Sequence, residues 1–152
     1  MKFNCMLRLQ KCLYFNIYLY FTWFVVIGFF LYSKLNILGH LTKYLSLTVF
    51  TLLFKIECTR LYLGHYGNLS RRVPELAGFL MLTVLMQMPL VTFFLFNPYL
   101  MSTPVELTLH TMFYLLTILE IVFSFIALKQ ASDFAKHVYL SHPLKLSVLH
   151  MR

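Results

Sequence analysis

Four long apolar stretches alternate with short polar segments along the chain, and each is long enough for a membrane-spanning helix. No charged residue lies between Cys12 and Ser33, and a helix rising about 1.5 Å per residue would cross a hydrocarbon core of about 30 Å over that length. The four stretches cover residues 12–33, 41–63, 76–96 and 105–128. The pattern predicts an all-α polytopic membrane protein, a four-transmembrane-helix bundle in which residues 1–152 form one domain.

Two of the predicted helices begin with the chemistry expected of a helix N-terminus. The Thr-Pro-Val-Glu sequence at residues 103–106 fits a capping box, in which the Thr103 hydroxyl accepts from a backbone amide and Glu106 reaches back. Pro74 and Glu75 suit a first helical turn, because a missing amide hydrogen costs little there and a carboxylate meets the positive end of the dipole. These signals place the beginnings of the third and fourth helices.

The end of the second helix is predicted around Gly64 and the Gly67-Asn68 pair. Glycine and asparagine are common at helix ends and in turns, because they adopt left-handed backbone conformations at low cost. If Gly67 has a positive φ, a bulky residue at that position would disturb the turn.

The composition excludes an ordinary soluble domain. Hydrophobic residues make up 60% of the chain and charged residues 12%, whereas soluble domains carry about 25% charged residues. The formal net charge of +8 raises nucleic acid as a partner. The basic residues lie at the ends of apolar runs rather than on one face, so we expect no nucleic-acid binding and a lipid bilayer as the surroundings.

The distribution of Lys and Arg predicts that both termini face the cytosol. With Lys55 set aside, ten basic residues lie on one side of the four stretches and two on the other, and the positive-inside rule places the richer side in the cytosol. The glycosylation sequon at residues 68–70 would then face the cytosol and stay unmodified. The ten are Lys2, Arg8, Lys11, Arg60, Arg71, Arg72, Lys129, Lys136, Lys145 and Arg152, and the two are Lys34 and Lys43.

Charged residues in the second stretch need an explanation, since a charge at the bilayer centre costs roughly 2.5 to 3.5 kcal/mol. Lys55, Glu57 and Arg60 lie toward its cytosolic end. Glu57 and Arg60 are three residues apart and can pair on one helical face. The pattern favours a shallow interfacial cluster, and the alternative is a site that binds a partner or a lipid headgroup.

Glu120 is the second intramembrane carboxylate. It precedes Lys129 by nine residues, which places it about 13 Å inside the membrane, and Gln87 should lie at a similar depth in the third stretch. A protonated Glu120 bonded to Gln87 would hold these two helices together. The alternative is a small transporter or channel that uses Glu120, Gln87 and Glu57.

No catalytic constellation is recognisable, so we expect a protein that is not an enzyme and has no cofactor or metal. The six histidines lack metal-ligand spacing, and no phosphate loop or nucleophile elbow is present. Cys5, Cys12 and Cys58 form no CxxC pair and are expected to be reduced thiols, with palmitoylation of Cys5 or Cys12 as the alternative.

The tail at residues 129–152 mixes basic and apolar residues. This composition fits either a segment that lies on the anionic inner leaflet or a solvated, partly ordered tail. Pro143 is expected to break any continuous helix there.

Several sequence blocks resemble a known family. The densest part consists of RLYLG at residues 60–64, GNL at 67–69 and VPELAGF at 73–79. The match extends through Gln87, Pro89 and FLFN at residues 94–97, and LYFN at residues 13–16 is also similar. Together these blocks are similar to the family of transmembrane proteins 17 and 216, over about residues 13–128.

The resemblance implies a four-span, non-enzymatic subunit of the ciliary transition zone. Members belong to the Meckel-type (MKS, tectonic-like) complex, a membrane diffusion barrier at the cilium base that supports cilium assembly. The expected partners are other transition-zone membrane and tectonic-like proteins, bound by lateral packing and by the loop at residues 60–75. The candidate contact residues are Arg60, Gly64, Gly67, Asn68, Pro74 and Glu75, for which a tight, capped helix–helix turn is the alternative explanation.

Overall fold

The computed structural model describes the backbone of residues 2–100 and 102–150, and the side chains in those ranges except at positions 2, 3, 5 and 144–150. Regular secondary structure in the described part is entirely helical, which confirms the all-α prediction. The question of Cys5 palmitoylation falls outside the described side chains. The helices are α1 (Lys2–Lys34), α2 (His40–Ser70), α3 (Val73–Leu82), a π-helical turn (Thr83–Gln87), α4 (Met88–Phe96), a short 3-10 turn (Pro98–Leu100) and α5 (Pro104–His150).

Three segments of these helices are long and apolar enough to cross a membrane. They are Met6–Lys34, Val73–Phe96 and Pro104–Pro143. The second helix, α2, has 31 residues and would extend about 46 Å at the usual helical rise. Its apolar sequence is interrupted by Lys43, Lys55, Glu57 and Arg60, so the structure supports three apolar spans where the sequence pattern predicted four.

Helices α1 and α5 pack against each other in an antiparallel pair. Their buried residues recur every three or four positions, which turns one continuous stripe of each helix toward the interior. Trp23 of α1 is fully buried and stacks on Phe50 of α2 and Phe113 of α5. The stripes are Leu9, Leu13, Asn16, Tyr20, Trp23, Ile27 and Leu31 on α1, and Glu106, His110, Phe113, Thr117, Glu120, Ser124, Ala127 and Ala131 on α5.

The π-helical turn joins α3 to α4 in one rod that runs from Val73 to Phe96. Pro89 lies just after this turn. Proline has no amide hydrogen, and its ring crowds the carbonyl of the residue four positions earlier. A widened turn at this place relieves that crowding without ending the rod.

The prediction that α2 stops near Gly64 or Gly67 is wrong. The helix continues to Ser70, and Arg71 takes the left-handed conformation with a φ of 50°. The Arg72 amide then donates to the Gly67 carbonyl at 3.1 Å. All five glycines lie in the described residues and none has a positive φ, so these glycines are not needed for backbone conformation.

The next helix, α3, begins as predicted, with Pro74 at its first positions and Glu75 in its first turn. The expected break at Pro143 is also wrong, because α5 runs through this residue to His150. Pro143 leaves the carbonyl of Tyr139 without its helical amide. Tyr139 is 85% exposed, so water can satisfy that carbonyl.

Candidate functional site: a buried ion network

A charged pair from α2 lies in the interior of the helix assembly. The Arg60 guanidinium donates from Nε to Glu57 Oε2 at 3.0 Å and from Nη2 to Glu57 Oε1 at 2.6 Å. Both side chains have no exposed surface. The two parallel bonds form the bidentate geometry that suits arginine and carboxylate best.

The third charged member comes from α5. Arg60 Nη1 donates to Glu120 Oε2, and the Glu120 side chain is also fully buried. The same nitrogen lies 3.5 Å from the Thr83 hydroxyl in the π-helical turn. One guanidinium therefore connects α2 to α5 and to the rod at residues 73–96.

The first helix, α1, completes the network through Asn16. Its side-chain amide donates to Glu57 Oε1 at 2.7 Å. Beneath the guanidinium, the Phe79 ring lies 5.2 Å from Arg60 Cζ, in the range of a cation–π contact. Side chains from α1, α2, the π-helical turn and α5 thus meet in one polar layer. We call this layer the ion network, and it consists of Asn16, Glu57, Arg60, Thr83 and Glu120.

The ion network corrects the expectation that Lys55, Glu57 and Arg60 form one cluster. Glu57 and Arg60 face inward and are fully buried, whereas Lys55 lies on the exposed side of α2. The three residues predicted to act together are therefore split between opposite faces. Burying charge is tolerated only where ions are paired and hydrogen-bonded, and the ion network provides that pairing.

The predicted bond between Glu120 and Gln87 is absent. Glu120 bonds to Arg60 instead, and the fully buried Gln87 side chain has no hydrogen-bond partner at either amide atom. Sequence reasoning assigned no basic partner to Glu120. The signal was present in the sequence, because Arg60 is a second charged residue inside an apolar stretch.

The two glycines of α2 lie at close helix contacts. A Cβ added to Gly64 would lie 2.8 Å from the Phe79 ring, and one added to Gly67 would lie 2.9 Å from the backbone nitrogen of Leu76. Only a hydrogen side chain permits this approach of α2 to α3. Gly64 and Gly67 therefore shape a helix contact rather than a turn.

Asn68 is also buried, with 6% of its surface exposed. Its side-chain amide donates to the Met6 carbonyl and to Gln10 Oε1, each at 3.0 Å. These bonds fasten the end of α2 to the beginning of α1. Because the sequon asparagine is held in this contact, an unmodified Asn68 carries no information about membrane orientation.

The remaining candidates lie on the surface of the α2–α3 connection. Arg72 donates to Glu75 at 3.3 Å and covers the Tyr66 ring at 5.3 Å, and Pro74 is exposed. Arg71 lies over the Phe134 ring of α5 at 5.4 Å. Of the six predicted contact residues, Pro74 is exposed and Glu75 is partly exposed, so a partner protein could contact them. Arg60 is fully buried and could not be contacted.

A second polar cluster lies at the opposite end of the helices. Glu106 and Thr103 form the predicted capping box, with the Thr103 amide donating to Glu106 Oε2 at 2.8 Å. Lys34 pairs with the same carboxylate oxygen at 2.6 Å. Sequence reasoning did not find the bond from Trp23 Nε1 to His110 Nδ1, which is 3.0 Å long and buried.

The described residues contain no group of three or more His, Cys, Asp or Glu side chains arranged to hold a metal ion. In the ion network, one guanidinium is hydrogen-bonded to two carboxylates from two helices. Such an arrangement fixes the positions of these helices relative to each other.

The sequence profile of the transmembrane protein 17 family, described as "Predicted membrane protein", matches residues 11–117. Transmembrane protein 17 of Homo sapiens is 43% identical over 124 residues, which cover 82% of this chain and 63% of that protein. The Gallus gallus protein of the same name is 40% identical over 136 residues, covering 89% of this chain and 65% of that relative.

Transmembrane protein 17B of Danio rerio is 40% identical over 123 residues, covering 81% of this chain and 64% of the relative. The chain thus spans less than two thirds of the length of the curated relatives it matches. No solved structure matches the chain.

Proposed function

The chain belongs to the transmembrane protein 17 family, and on that premise we propose that it is a non-enzymatic membrane subunit of the ciliary transition-zone complex. Its work is to contribute to the diffusion barrier at the cilium base, and thereby to cilium assembly and ciliary membrane composition. Its partners are other membrane and tectonic-like proteins of that complex. The family resemblance described above supports this assignment.

Four membrane spans with both termini in the cytosol form the topology of this proposal. Glu57 and Arg60 face inward and form an ion pair, so neither of these two charges faces the lipid. The large excess of basic residues on the side of the termini supports the orientation.

Cysteine labelling tests this topology. In a chain with Cys5, Cys12 and Cys58 changed to Ala, Asn36→Cys reports the α1–α2 connection and Ser141→Cys the distal part of α5, since both positions are exposed. In intact cells, a membrane-impermeant maleimide should label the cysteine at 36 and not the cysteine at 141. The cysteine at 141 should react only after digitonin opens the plasma membrane, and labelling of both positions in intact cells would contradict the four-span topology.

The hydrogen bonds of the ion network are the observation that favours a structural function over a transport function. These hydrogen bonds join α1, α2 and α5, so movement of any one of these three helices would break a hydrogen bond to a buried charged group. A rigid scaffold suits a subunit that presents fixed lateral surfaces to its neighbours.

Imaging and co-purification in ciliated cells test the function. The tagged chain should form a narrow band between a basal-body marker and an axoneme marker and should recover tectonic-like proteins. Arg60→Met should abolish both, whereas the surface variant Lys129→Met should retain both. Uniform signal in the plasma membrane or endomembranes would refute the transition-zone assignment.

A transporter or channel remains the competing function, favoured by the unpartnered amide of the buried Gln87. Proteoliposomes that contain the purified chain distinguish the two. A proton or cation flux that Glu120→Gln abolishes would support transport, and no flux above that of empty vesicles would support the scaffold.

A further inference from the structure

The outward side of α2 differs from the outward sides of its neighbours. Large hydrophobic side chains such as Phe21, Phe29 and Phe125 are exposed on α1 and α5, as expected where a helix faces lipid. On α2, exposed hydrophobic side chains such as Leu45, Leu47 and Phe54 share the surface with a lysine and several threonines. The α2 outer face consists of Tyr44, Thr48, Thr51, Lys55, Thr59 and Tyr62.

Lys55 is the charged group of this face. Its ammonium group makes no hydrogen bond or ion pair with any side chain that the structure describes. The threonines on either side bond to their own helix, since Thr51 donates to the Leu47 carbonyl and Thr59 to the Lys55 carbonyl. The threonine hydroxyls are therefore satisfied within α2, whereas the Lys55 ammonium group has no partner among the described side chains.

The depth of Lys55 in the membrane raises the free-energy cost of leaving its ammonium group without a partner. Gly64 adjoins Leu13, at the beginning of the first apolar stretch, and Lys55 precedes Gly64 by nine residues, which corresponds to about 13 Å along the helix. Side chains of a helix lean toward its N-terminus. The Lys55 stem therefore leans away from the nearer, cytosolic headgroups, which opposes snorkelling toward them.

The shape of the α2 outer face agrees with this direction. A groove of about 330 Å³ is lined by Leu47, Thr48, Thr51, Leu52 and Lys55. The four other lining residues precede Lys55, so the groove extends from Lys55 toward the N-terminal end of α2. Small residues beside such a groove allow close approach of another helix within a membrane.

We infer that the α2 outer face is the docking surface for a transmembrane helix of another protein that carries an Asp or Glu at the depth of Lys55. A carboxylate would neutralise the unpartnered ammonium in a low-dielectric medium, where such pairing is strongest. The inference deepens the proposed function and rests on its four-span topology.

A second copy of this chain does not fit the same surface. Two copies in one membrane share one orientation, and a two-fold interface along α2 would place the two Lys55 side chains opposite each other at equal depth. Like charges repel most strongly at low dielectric. The charge pattern therefore favours an acidic partner of a different kind.

A defined probe tests the acid requirement. The full chain, carrying a fluorescent donor on a C-terminal tag, is reconstituted at neutral pH in phosphatidylcholine vesicles with acceptor-labelled Leu–Ala helical peptides of about 20 residues. The peptides carry one central Glu or one central Gln. Energy transfer should show the Glu peptide associating roughly three- to tenfold more strongly.

Variants of the chain test whether Lys55 causes the stronger association of the Glu peptide. Lys55→Met should remove it, Lys55→Arg should keep it, and the control Lys129→Met should leave it unchanged. Because Lys55 bonds to no described side chain, Lys55→Met should also keep the wild-type melting temperature. Equal association of the two peptides, or a preference that survives Lys55→Met, would overturn the inference.

Photocrosslinking in ciliated cells identifies the natural occupant. A photoreactive amino acid at Thr51 should crosslink to a membrane segment that contains Asp or Glu, and the yield should fall in Lys55→Met. Crosslinks confined to lipid, to a second copy or to acid-free helices would contradict the inference. Either negative result with normal transition-zone localisation would reject this docking surface and leave the proposed function standing.

Discussion

Arg60 of α2 donates to Glu120 of α5 in a contact that leaves neither side chain any exposed surface. The two residues are 60 positions apart in the chain. Their contact closes the ion network, because Arg60 also holds Glu57 through two bonds. One arginine is thus the counter-charge of two buried carboxylates. This excess of acidic over basic groups determines how the network responds to substitution.

Removal of the cation is expected to damage the protein more than neutralisation of an acid. Arg60→Met leaves two buried carboxylates without a counter-charge and should lower the free energy of unfolding by about 3–5 kcal/mol. Glu120→Gln leaves the Glu57–Arg60 pair neutral, and its amide oxygen still accepts a hydrogen bond, so the loss should be about 1 kcal/mol. Unfolding titrations in mixed detergent and SDS measure both, and equal losses would contradict the asymmetry.

Close approach of α2 to α3 makes Gly67 sensitive to any side chain. Gly67→Ala places a Cβ 2.9 Å from the Leu76 backbone nitrogen and should lower the free energy of unfolding by about 1–3 kcal/mol. Gly39→Ala is the matched control, since nothing lies within 4 Å of a Cβ added there. Melting temperatures read from size-exclusion profiles after heating compare the two, and an unchanged value for Gly67→Ala would refute the contact.

The capping box at the beginning of α5 should contribute measurably to stability. Thr103→Ala removes the hydroxyl that faces the Glu106 amide and should lower the free energy of unfolding by about 0.5–2 kcal/mol. Thr108→Ala removes a hydroxyl that bonds only within its own helix, to the Pro104 carbonyl. The same SDS titration should show a smaller loss for this control, and losses of equal size would count against the cap.

The bond between Trp23 and His110 can be isolated by a double-mutant cycle. Trp23→Phe removes the donor, and His110→Phe keeps a ring to stack on Phe94, whose plane lies 10° from that of His110. The two single variants and the double variant should give a coupling energy of about 0.5–1.5 kcal/mol. A coupling near zero would mean that the two residues contribute through packing alone.

Features that depend on neighbours in the chain could be predicted from the sequence. A capping box needs only residues three apart, and the bonds between Thr103 and Glu106 confirm it. The beginning of α3 at Pro74 and Glu75 is of the same kind. Such local signals survive folding because they satisfy backbone groups that remain unpaired at any helix N-terminus.

The orientation of a helix face, toward a neighbouring helix or away from it, could not be predicted from the sequence. Glu57 and Arg60 were correctly expected to share a face, but the sequence of α2 alone does not say that this face turns inward and that Lys55 turns outward. Gly67 is compatible both with a turn and with a close contact. Only the position of Leu76 against it decides between them.

The sequence by itself determined that the chain is a helical membrane protein and where α3 and α5 begin, because hydropathy and end chemistry act over a few residues. The tertiary structure decided that Arg60 binds Glu57 and Glu120 together and that Lys55 lies on an outer face. Charges inside a membrane are stable only when they are paired with opposite charges. Here Arg60 and Glu120 are far apart in the chain, so their ion pair forms only once the helices have packed.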